Sequence, residues 1–169
     1  MFYLCAFKIA MIVRKAVRED MKAVLELIQE LANFENEPNA VEITVAQLEN
    51  DGFGTHPLFH CFVAEEANEI IGIALFYYRY STWKGKTIHL EDLIVRENKR
   101  GIGAGFALYK EIIQQGKRDG VKRIEWAVLD WNKSAIDFYQ KTGAKVFDDW
   151  RVAQLDEQGI NAFIEQDLN

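Results

Sequence analysis

The chain has 169 residues, with 20 lysine and arginine residues against 26 aspartate and glutamate residues, so its formal net charge is -6. Its hydrophobic content of 49% is that of a chain that buries a sizeable core, which excludes disordered and fibrous classes. The acidic balance argues against a nucleic-acid partner, because binding phosphates requires a basic face. No apolar run approaches the ~18 residues of a membrane span, so we expect no membrane partner either.

The two cysteines, Cys5 and Cys61, are too few for a disulfide framework, which favours a reducing, cytoplasmic location. Met11 opens a strand-like run, so we expect residues 1–10 to be a non-essential N-terminal extension. Residues 11–169 are expected to form a single domain, because no Gly/Ser-rich linker or repeat divides them.

Hydrophobic periodicity predicts the elements in chain order. Those of the first part are a strand over 12–16, a helix over 21–34 preceded by Asp20, a helix over 45–52 preceded by Thr44, and strands over 60–66, 69–80 and 86–96. A tight turn at Ala67-Asn68 is expected between the first two strands of that last group. Those of the second part are a helix from 106 to about 116–120, a strand over 121–129, a helix over 134–141 capped by Asn132, strands over 145–147 and 150–155, and a helix from 156. A meander of strands followed by alternating helices and strands indicates a mixed sheet of the α/β class.

A glycine-dense turn joins the third strand of the meander to the next helix, with Gly101, Gly103 and Gly105 following Arg100. Unpaired N–H groups at a helix start bind phosphates, and glycines let a phosphate approach the backbone. A P-loop is excluded, because Phe106 follows Gly105 where that motif needs lysine. A dinucleotide fingerprint is disfavoured, because it needs Gly or Ala in place of Phe106 and a first strand earlier in the chain.

The spacing Arg-x-x-Gly-x-Gly, formed by Arg100, Gly103 and Gly105, resembles the pyrophosphate loop of the GCN5-related N-acetyltransferases. Several strings also resemble the diamine (spermidine/spermine) and thialysine N-acetyltransferases, namely ELA at 30–32, DGFG at 51–54, LED at 90–92, WN at 131–132 and FY at 138–139. The resemblance implies a GNAT fold of α/β (α+β) class, with a mixed central sheet of about seven strands flanked by helices. It also implies a splayed strand pair beside acetyl-CoA, and a homodimer.

The resemblance implies direct transfer of acetyl from acetyl-CoA to an amine, with no metal. It assigns Glu91 to accept the amine proton and Tyr139 to protonate the thiolate. Because neighbouring strand residues alternate, Glu91 is expected to face the amine while Asp92 faces away. The residues implied for acetyl-CoA are Leu93, Ile94, Val95, Arg100, Gly101, Ile102, Gly103, Ala104, Gly105, Phe106, Asn132, Lys133, Ser134, Ala135 and Tyr139.

Carboxylates beside aromatic side chains suit a small cationic amine as the partner. The residues implied for it are Phe34, Glu35, Glu91, Asp92, Glu125, Trp126 and Asp148. The chain is shorter around Asp148 than the polyamine enzymes, so polyamines, thialysine, lysine and short diamines all remain open. Two further alternatives are acetylation of a protein or peptide amine, and a non-catalytic acyl-CoA-binding regulatory module. The histidines show no zinc-binding spacing, so we expect no metal site.

Overall fold

The computed structural model describes residues 10–166. They divide into two compact units, one ending at Ala127 and the other beginning at Val128. The predicted extension over residues 1–10 lies outside the described residues apart from Ala10, as does Cys5.

The first unit holds a five-stranded sheet and three helices. Its strands are β1 (Ile12–Lys15), β2 (His60–Glu66), β3 (Glu69–Ser81), β4 (Gly85–Val95) and β5 (Ile124–Glu125). Its helices are α1 (Met21–Phe34), α2 (Val45–Phe53) and α3 (Ala104–Arg118), and short 3-10 turns cover Arg18–Asp20 and Glu97–Lys99. The bounds agree closely with the prediction as far as α3.

The sheet order is β1-β2-β3-β4-β5. The first four strands are antiparallel to their neighbours, and β4 pairs with β5 in parallel. A parallel pair needs a crossover connection, which α3 provides. The tight turn predicted at Ala67-Asn68 joins β2 to β3, and both residues have positive φ, as the favoured two-residue hairpin turn requires.

The sheet carries a hydrophobic cluster on each face. One cluster joins α1 and α2 to the sheet and includes Met21, Val24, Leu27, Leu48, Val63, Ile73, Leu75 and Ile94. The other joins α3 to the sheet and includes Phe62, Ile71, Phe76, Ile88, Leu90, Leu108 and Ile112. Because both faces are covered, the central strand β3 is apolar on both sides.

The second unit contains α4 (Lys133–Lys141) and α5 (Glu157–Gln166). The Asn132 side chain accepts a hydrogen bond from the N–H of Ala135 at 3.2 Å, which confirms the predicted helix cap. Asp156 caps α5 in the same way, accepting from the N–H of Gly159 at 2.7 Å. None of the helices in residues 10–166 is long and apolar enough to cross a membrane.

The prediction of about seven strands is wrong for the described residues, in which the sheet has five. The strand predicted over 121–129 is reduced to Ile124–Glu125, and residues 145–147 and 150–155 are irregular. The apolar residues of this segment suggest strands but do not enter the core: Phe147, Trp150 and Val152 are 65%, 75% and 78% exposed. A strand is stable only with a hydrogen-bonding neighbour and a buried face, and neither is present in this segment as described.

Gly72 of β3 allows α3 to pack closely on the sheet. A Cβ at this position would lie 2.8 Å from the carbonyl oxygen of Ile94 and 3.2 Å from Leu108. We therefore expect Gly72→Ala to destabilise the protein by about 1–3 kcal/mol, as overpacked cores do. Thermal unfolding should show a midpoint lowered by roughly 2–10 °C.

The matched control is Gly105→Ala, because a Cβ there would meet only Val95, at an ordinary distance of 3.7 Å. This variant should unfold within about 1–2 °C of the wild type, since replacing glycine by alanine does not lower the stability of a helix. Equal midpoints for Gly72→Ala and the wild type would contradict the close packing of α3 described above.

Candidate active site

The glycine-dense turn lies between β4 and α3, as predicted, after the short 3-10 turn at Glu97–Lys99. Gly101 and Gly103 have φ of 83° and 92°, in the left-handed region that favours glycine. Gly103 is the residue that precedes the first turn of α3. These two glycines are therefore required by the backbone of the turn itself, whatever else the turn binds.

Gly105 has a different explanation, because it lies inside α3 and is not among the described residues with positive φ. A side-chain methyl would fit there, since the one described side chain that its Cβ would meet within 4 Å is Val95, at an ordinary 3.7 Å. Neither the backbone nor the packing of the first unit demands glycine at this position. A ligand that approaches the backbone would demand it.

The start of α3 presents polar backbone groups. The first hydrogen bond of the helix runs from the N–H of Ala107 to the carbonyl oxygen of Gly103, at 3.0 Å. Within the described residues, the N–H groups of Ala104 and Gly105 have no hydrogen-bond acceptor assigned to them. Together with the positive end of the helix dipole, they form a site suited to an anion.

Arg100 lies at the same turn and is exposed. Its Nε donates a hydrogen bond to the carbonyl oxygen of Val95 at 3.2 Å, and its guanidinium carbon lies 5.4 Å from the centre of the Phe34 ring. The structure therefore brings Arg100, predicted for the cofactor, next to Phe34, predicted for the amine. Ile102 and Phe106 are both at least half exposed beside the turn, at 50% and 56%.

Two basic side chains fix the segment that leads into the turn. Arg96 donates to the carbonyl oxygen of Ile70 at 3.1 Å and to Glu26 of α1 at 3.0 Å. Lys99 forms an ion pair with Glu66 of β2 at 2.7 Å. Because these contacts reach both α1 and the β2–β3 hairpin, the turn is held from both sides.

The strand β4 separates from β5 just before the turn. The two strands share only two residue pairs, Ile88 with Ile124 and His89 with Glu125. In contrast, β4 pairs with β3 along its whole length to Val95. In the described part of the chain, the stretch of β4 from Leu90 to Val95 therefore has a strand neighbour on one side only. Leu93, Ile94 and Val95, predicted for the cofactor, lie in this stretch.

A β-bulge falls at Glu91. The register places Leu90 opposite Phe76 and Asp92 opposite Leu75, so Glu91 is the extra residue. The expected alternation of Glu91 and Asp92 between the two faces does not hold. Glu91 contacts Tyr77 and His89, while Asp92 interacts with Cys61, and all of these lie on the face that α1 covers. Bulges re-aim side chains in this way, so both carboxyls share one face.

Glu91 is half exposed, and its carboxylate has an imidazole as a neighbour. Nε2 of His89 lies 3.4 Å from a carboxylate oxygen of Glu91. Burial, together with the charge of Glu91, raises the pKa of Tyr77, which lies on the same face of the sheet. The Glu91 carboxylate therefore has polar side chains near it on this face while remaining open to solvent.

Asp92 is half-buried and has no hydrogen bond or ion pair assigned to it within the described residues. Burial, together with the charges of Glu91 and Glu35, raises the pKa of Asp92 to about 7. Burial also raises the pKa of Glu35, at the end of α1. The charges of two further carboxyl groups, from two elements, therefore act on Asp92, and a cation placed beside it would relieve that repulsion.

The sequence did not single out His89, which the structure connects to Glu91 and Arg79. Its Nδ1 lies 3.1 Å from Nη1 of Arg79. The signal was present in the sequence, since His89 is two residues before Glu91 and strand residues two apart share a face.

Glu125 and Trp126, predicted for the substrate, have protein partners in the first unit. Glu125 is 2.8 Å from Arg79 and 2.9 Å from Arg123, so its charge is compensated by two guanidinium groups. Trp126 packs edge-to-face on Tyr109 of α3, with ring centres 5.8 Å apart. Glu125 is therefore a weaker cation ligand than Glu35 or Asp92.

The remaining predicted residues belong to the second unit. Asn132 caps α4, and Lys133, Ser134 and Ala135 form its first turn. Tyr139 lies seven residues after Asn132 on the same helix, is 8% exposed, and contacts the ring of Phe138. Asp148 is exposed in an irregular segment.

Across the described residues of both units, no group of three or more His, Cys, Asp or Glu residues is arranged to hold a metal ion.

Comparison with known proteins identifies the family. Residues 21–144 match the acetyltransferase (GNAT) family. The chain is 38% identical over 144 residues to thialysine N-epsilon-acetyltransferase of Sus scrofa, covering 80% of this chain and 85% of that protein. It is 35% identical over 139 residues to spermidine/spermine N(1)-acetyltransferase-like protein 1 of Homo sapiens, covering 78% of this chain but 20% of that protein.

A solved structure shares the fold. An integron cassette protein of V. cholerae superposes with a TM-score of 0.75 at 19% identity, covering 92% of this chain and 98% of that one. The five-stranded mixed sheet with its helices is thus an α+β fold shared with structural relatives. From the family match and the curated relatives, the chain belongs to the GNAT acetyltransferase family and is an N-acetyltransferase.

Proposed function

We propose that this enzyme transfers acetyl from acetyl-CoA to a primary amine of a small cationic substrate, of the thialysine or polyamine type, by direct attack in a ternary complex. The observation that carries the proposal is the pair Glu91 and Asp92 on one face at the bulge of β4, close in sequence to the glycine turn, with the charge of Glu35 also acting on Asp92. The pig relative, named as a thialysine N-epsilon-acetyltransferase, supports this substrate class, as does the similarity to a human spermidine/spermine N(1)-acetyltransferase-like protein.

Acetyl-CoA, the co-substrate that the family uses, would supply the acetyl group as a reactive thioester. The anion site at the start of α3 fits its pyrophosphate, because Ala104 and Gly105 offer N–H groups and Gly105 leaves the backbone accessible. Arg100 adds a charge-assisted contact. We assign the remaining cofactor contacts to Leu93, Ile94, Val95, Gly101, Ile102, Gly103 and Phe106 of the first unit, and to Asn132, Lys133, Ser134, Ala135 and Tyr139 of the second.

The amine is held as an ammonium ion before reaction. Asp92 and Glu35 attract it, and the Phe34 ring supplies an aromatic face. Trp126 and Asp148 are assigned to more distant parts of the substrate. Glu125 contributes less, because Arg79 and Arg123 already compensate its charge.

Reaction requires the ammonium to lose a proton, since its pKa is near 10.4 in water. Glu91 accepts this proton, directly or through water, because its carboxylate is half exposed and lies 3.4 Å from Nε2 of His89. The nitrogen lone pair then forms the N–C bond to the acetyl carbonyl carbon as the C–S bond breaks. Tyr139 donates its phenolic proton to the departing sulfur, and the second proton of the acylated nitrogen passes, directly or through water, to the resulting phenolate, so the proton balance closes.

We also propose that the enzyme works as a homodimer in the cytoplasm. The hairpin of β3 and β4 extends beyond its neighbours in the described sheet, because β2 pairs with β3 only from Glu69 to Phe76 and leaves the rest of β3 without a partner on that side. Near the tip of this hairpin, Tyr80 and Trp83 are 82% and 81% exposed. Exposed aromatic side chains on a projecting hairpin suit a protein partner. The buried Cys61 thiol is unpaired, which suits a reducing compartment.

The substrate class is tested by a panel of spermidine, putrescine, thialysine, lysine and a lysine-containing peptide, with release of free CoA as the measurement. We expect turnover of at least one free amine to exceed that of the peptide by tenfold or more, because Glu91 and Asp92 on one face favour a compact cation. In this panel, activity on the peptide alone would replace the proposal with a protein acetyltransferase. Binding of acetyl-CoA without any turnover would replace it with a regulatory module.

The role of Tyr139 is tested by Tyr139→Phe. In this variant, the rate should fall by at least tenfold at unchanged CoA affinity.

Gly105→Ala separates ligand binding from folding. We expect this variant to retain wild-type stability but to bind CoA at least tenfold more weakly, because the added methyl lies where the backbone meets the pyrophosphate. Isothermal titration calorimetry with CoA measures the affinity. If a stable Gly105→Ala protein binds CoA as tightly as the wild type, the pyrophosphate does not lie on this turn.

The pKa of about 7 for Asp92 predicts a pH dependence of amine binding. A raised carboxyl pKa means that Asp92 becomes charged only as the pH rises through about 7, whereas thialysine and putrescine stay cationic below about pH 9. Amine affinity of the enzyme–CoA complex should therefore rise roughly tenfold from pH 6 to pH 8, as calorimetry would measure.

Asp92→Asn is the matched variant for this prediction, because it keeps the shape of the side chain and removes the titration. It should bind amines weakly with little change between pH 6 and pH 8. The free energy of unfolding depends on pH in the opposite direction to amine affinity. Between about pH 4 and pH 7 the folded wild type keeps a proton on Asp92 that the unfolded chain releases, so the free energy of unfolding falls as the pH rises over this range. Denaturation of Asp92→Asn should lack that fall. An unchanged pH dependence in the variant would remove Asp92 from amine binding.

A further inference from the structure

His89 occupies a position between a permanent cation and the carboxylate assigned to accept the proton. Its Nδ1 is 3.1 Å from Nη1 of Arg79, and its Nε2 is 3.4 Å from Oε2 of Glu91. The ring lies beside that of Tyr77, its cross-strand partner, with centres 5.2 Å apart. The imidazole side chain is only 18% exposed, so these contacts largely fix its orientation.

The contact with Arg79 determines which ring nitrogen carries the proton. A guanidinium group has N–H donors and no acceptor, so the Nδ1 that faces it must offer a lone pair. A neutral imidazole has one N–H, which must then be on Nε2. Because Nε2 faces Glu91, the ring presents an N–H to the carboxylate. At 3.4 Å the contact is longer than a well-formed hydrogen bond, and such contacts commonly tighten when substrate binds.

On the basis of the proposed function, we infer that His89 is a positioning residue, which acts in the Nε2–H tautomer to hold the Glu91 carboxylate toward the amine. The Glu91 side chain is 50% exposed and would otherwise sample several rotamers, so a donor two residues earlier on the same strand restricts its rotation.

The charged groups around the ring support a neutral His89. Arg79 is held in place by Glu125 at 2.8 Å, and Arg123 approaches the same carboxylate at 2.9 Å. Burial, assisted by the charge of Arg79, lowers the pKa of His89, while Glu91 and Glu125 oppose this shift. A protonated ring would direct a second N–H at the Arg79 guanidinium. Acidification should therefore disrupt the Arg79–His89–Glu91 arrangement.

Two substitutions of His89 separate its two nitrogens. The amide of Gln reaches the position of Nε2, so His89→Gln keeps a donor for Glu91, whereas the shorter amide of Asn reaches only the position of Nδ1. With the best amine of the panel at pH 7.5, we expect His89→Asn to lose at least tenfold in kcat with the KM for acetyl-CoA within twofold of wild type. His89→Gln should stay within about threefold of wild-type kcat and should lose the ionisation of the imidazole from the acidic limb of its pH–rate profile.

The control is His60→Asn, because His60 is also a strand histidine whose pKa is lowered by burial, but it contacts Phe76 and Tyr78 on the opposite face of the sheet. This variant should keep wild-type kinetics. If His89→Asn has wild-type kcat, or if His89→Gln falls as far as His89→Asn, the positioning role is wrong.

A spectroscopic arm tests His89 independently of catalysis. Long-range ¹H–¹⁵N correlation spectra at pH 7.5 should show Nδ1 of His89 unprotonated and Nε2 protonated, and the Nε2 resonance should move in Glu91→Gln. A proton on Nδ1, or an Nε2 resonance that ignores Glu91→Gln, overturns the inference. If no amine is turned over while these spectral results hold, the proposed function fails and the coupling of His89 to Glu91 stands.

Discussion

The bulge at Glu91 is the local feature on which the rest of the site depends. A regular strand would have placed Glu91 and Asp92 on opposite faces, with one carboxyl against α3 and its apolar cluster. One extra residue in β4, opposite the step from Leu75 to Phe76, places both on the face that α1 covers. It does so in the stretch of β4 that does not pair with β5. Burial on this face, together with the charges of Glu91 and Glu35, raises the pKa of Asp92.

Much of the first unit could be predicted because its local signals agree with its tertiary structure. Three local signals each specify one element: the apolar spacing after Asp20 specifies α1, the Thr44 cap specifies the start of α2, and the Ala67-Asn68 turn specifies the hairpin of β2 and β3. The structure contains all three elements. The bulge could not be predicted in this way. It arises from a register difference between β3 and β4, which is a relation between two strands and leaves no signature in the periodicity of either one.

The predicted strands beyond Val121 failed for a related reason. Their aromatic and β-branched residues match the composition of strands, but composition does not reveal whether a neighbouring strand is available. Trp150 and Val152 remain exposed, so burial does not compensate the cost of ordering an extended chain there. For the site, the motif at Arg100–Gly105 was sufficient to locate an anion-binding turn. The partners of Glu125 and the role of Arg79 depended on distances that only the folded sheet provides.

The stacking of Arg100 on Phe34 has a kinetic consequence under the proposed function. One guanidinium borders both the anion site and the aromatic face assigned to the amine, so an approaching ammonium meets a like charge while the anion site is empty. Phosphates on the turn would compensate that charge, and the acidic cluster would then dominate the local field. Electrostatics thus favours an ordered sequence in which acetyl-CoA binds before the amine, without any conformational change to enforce it.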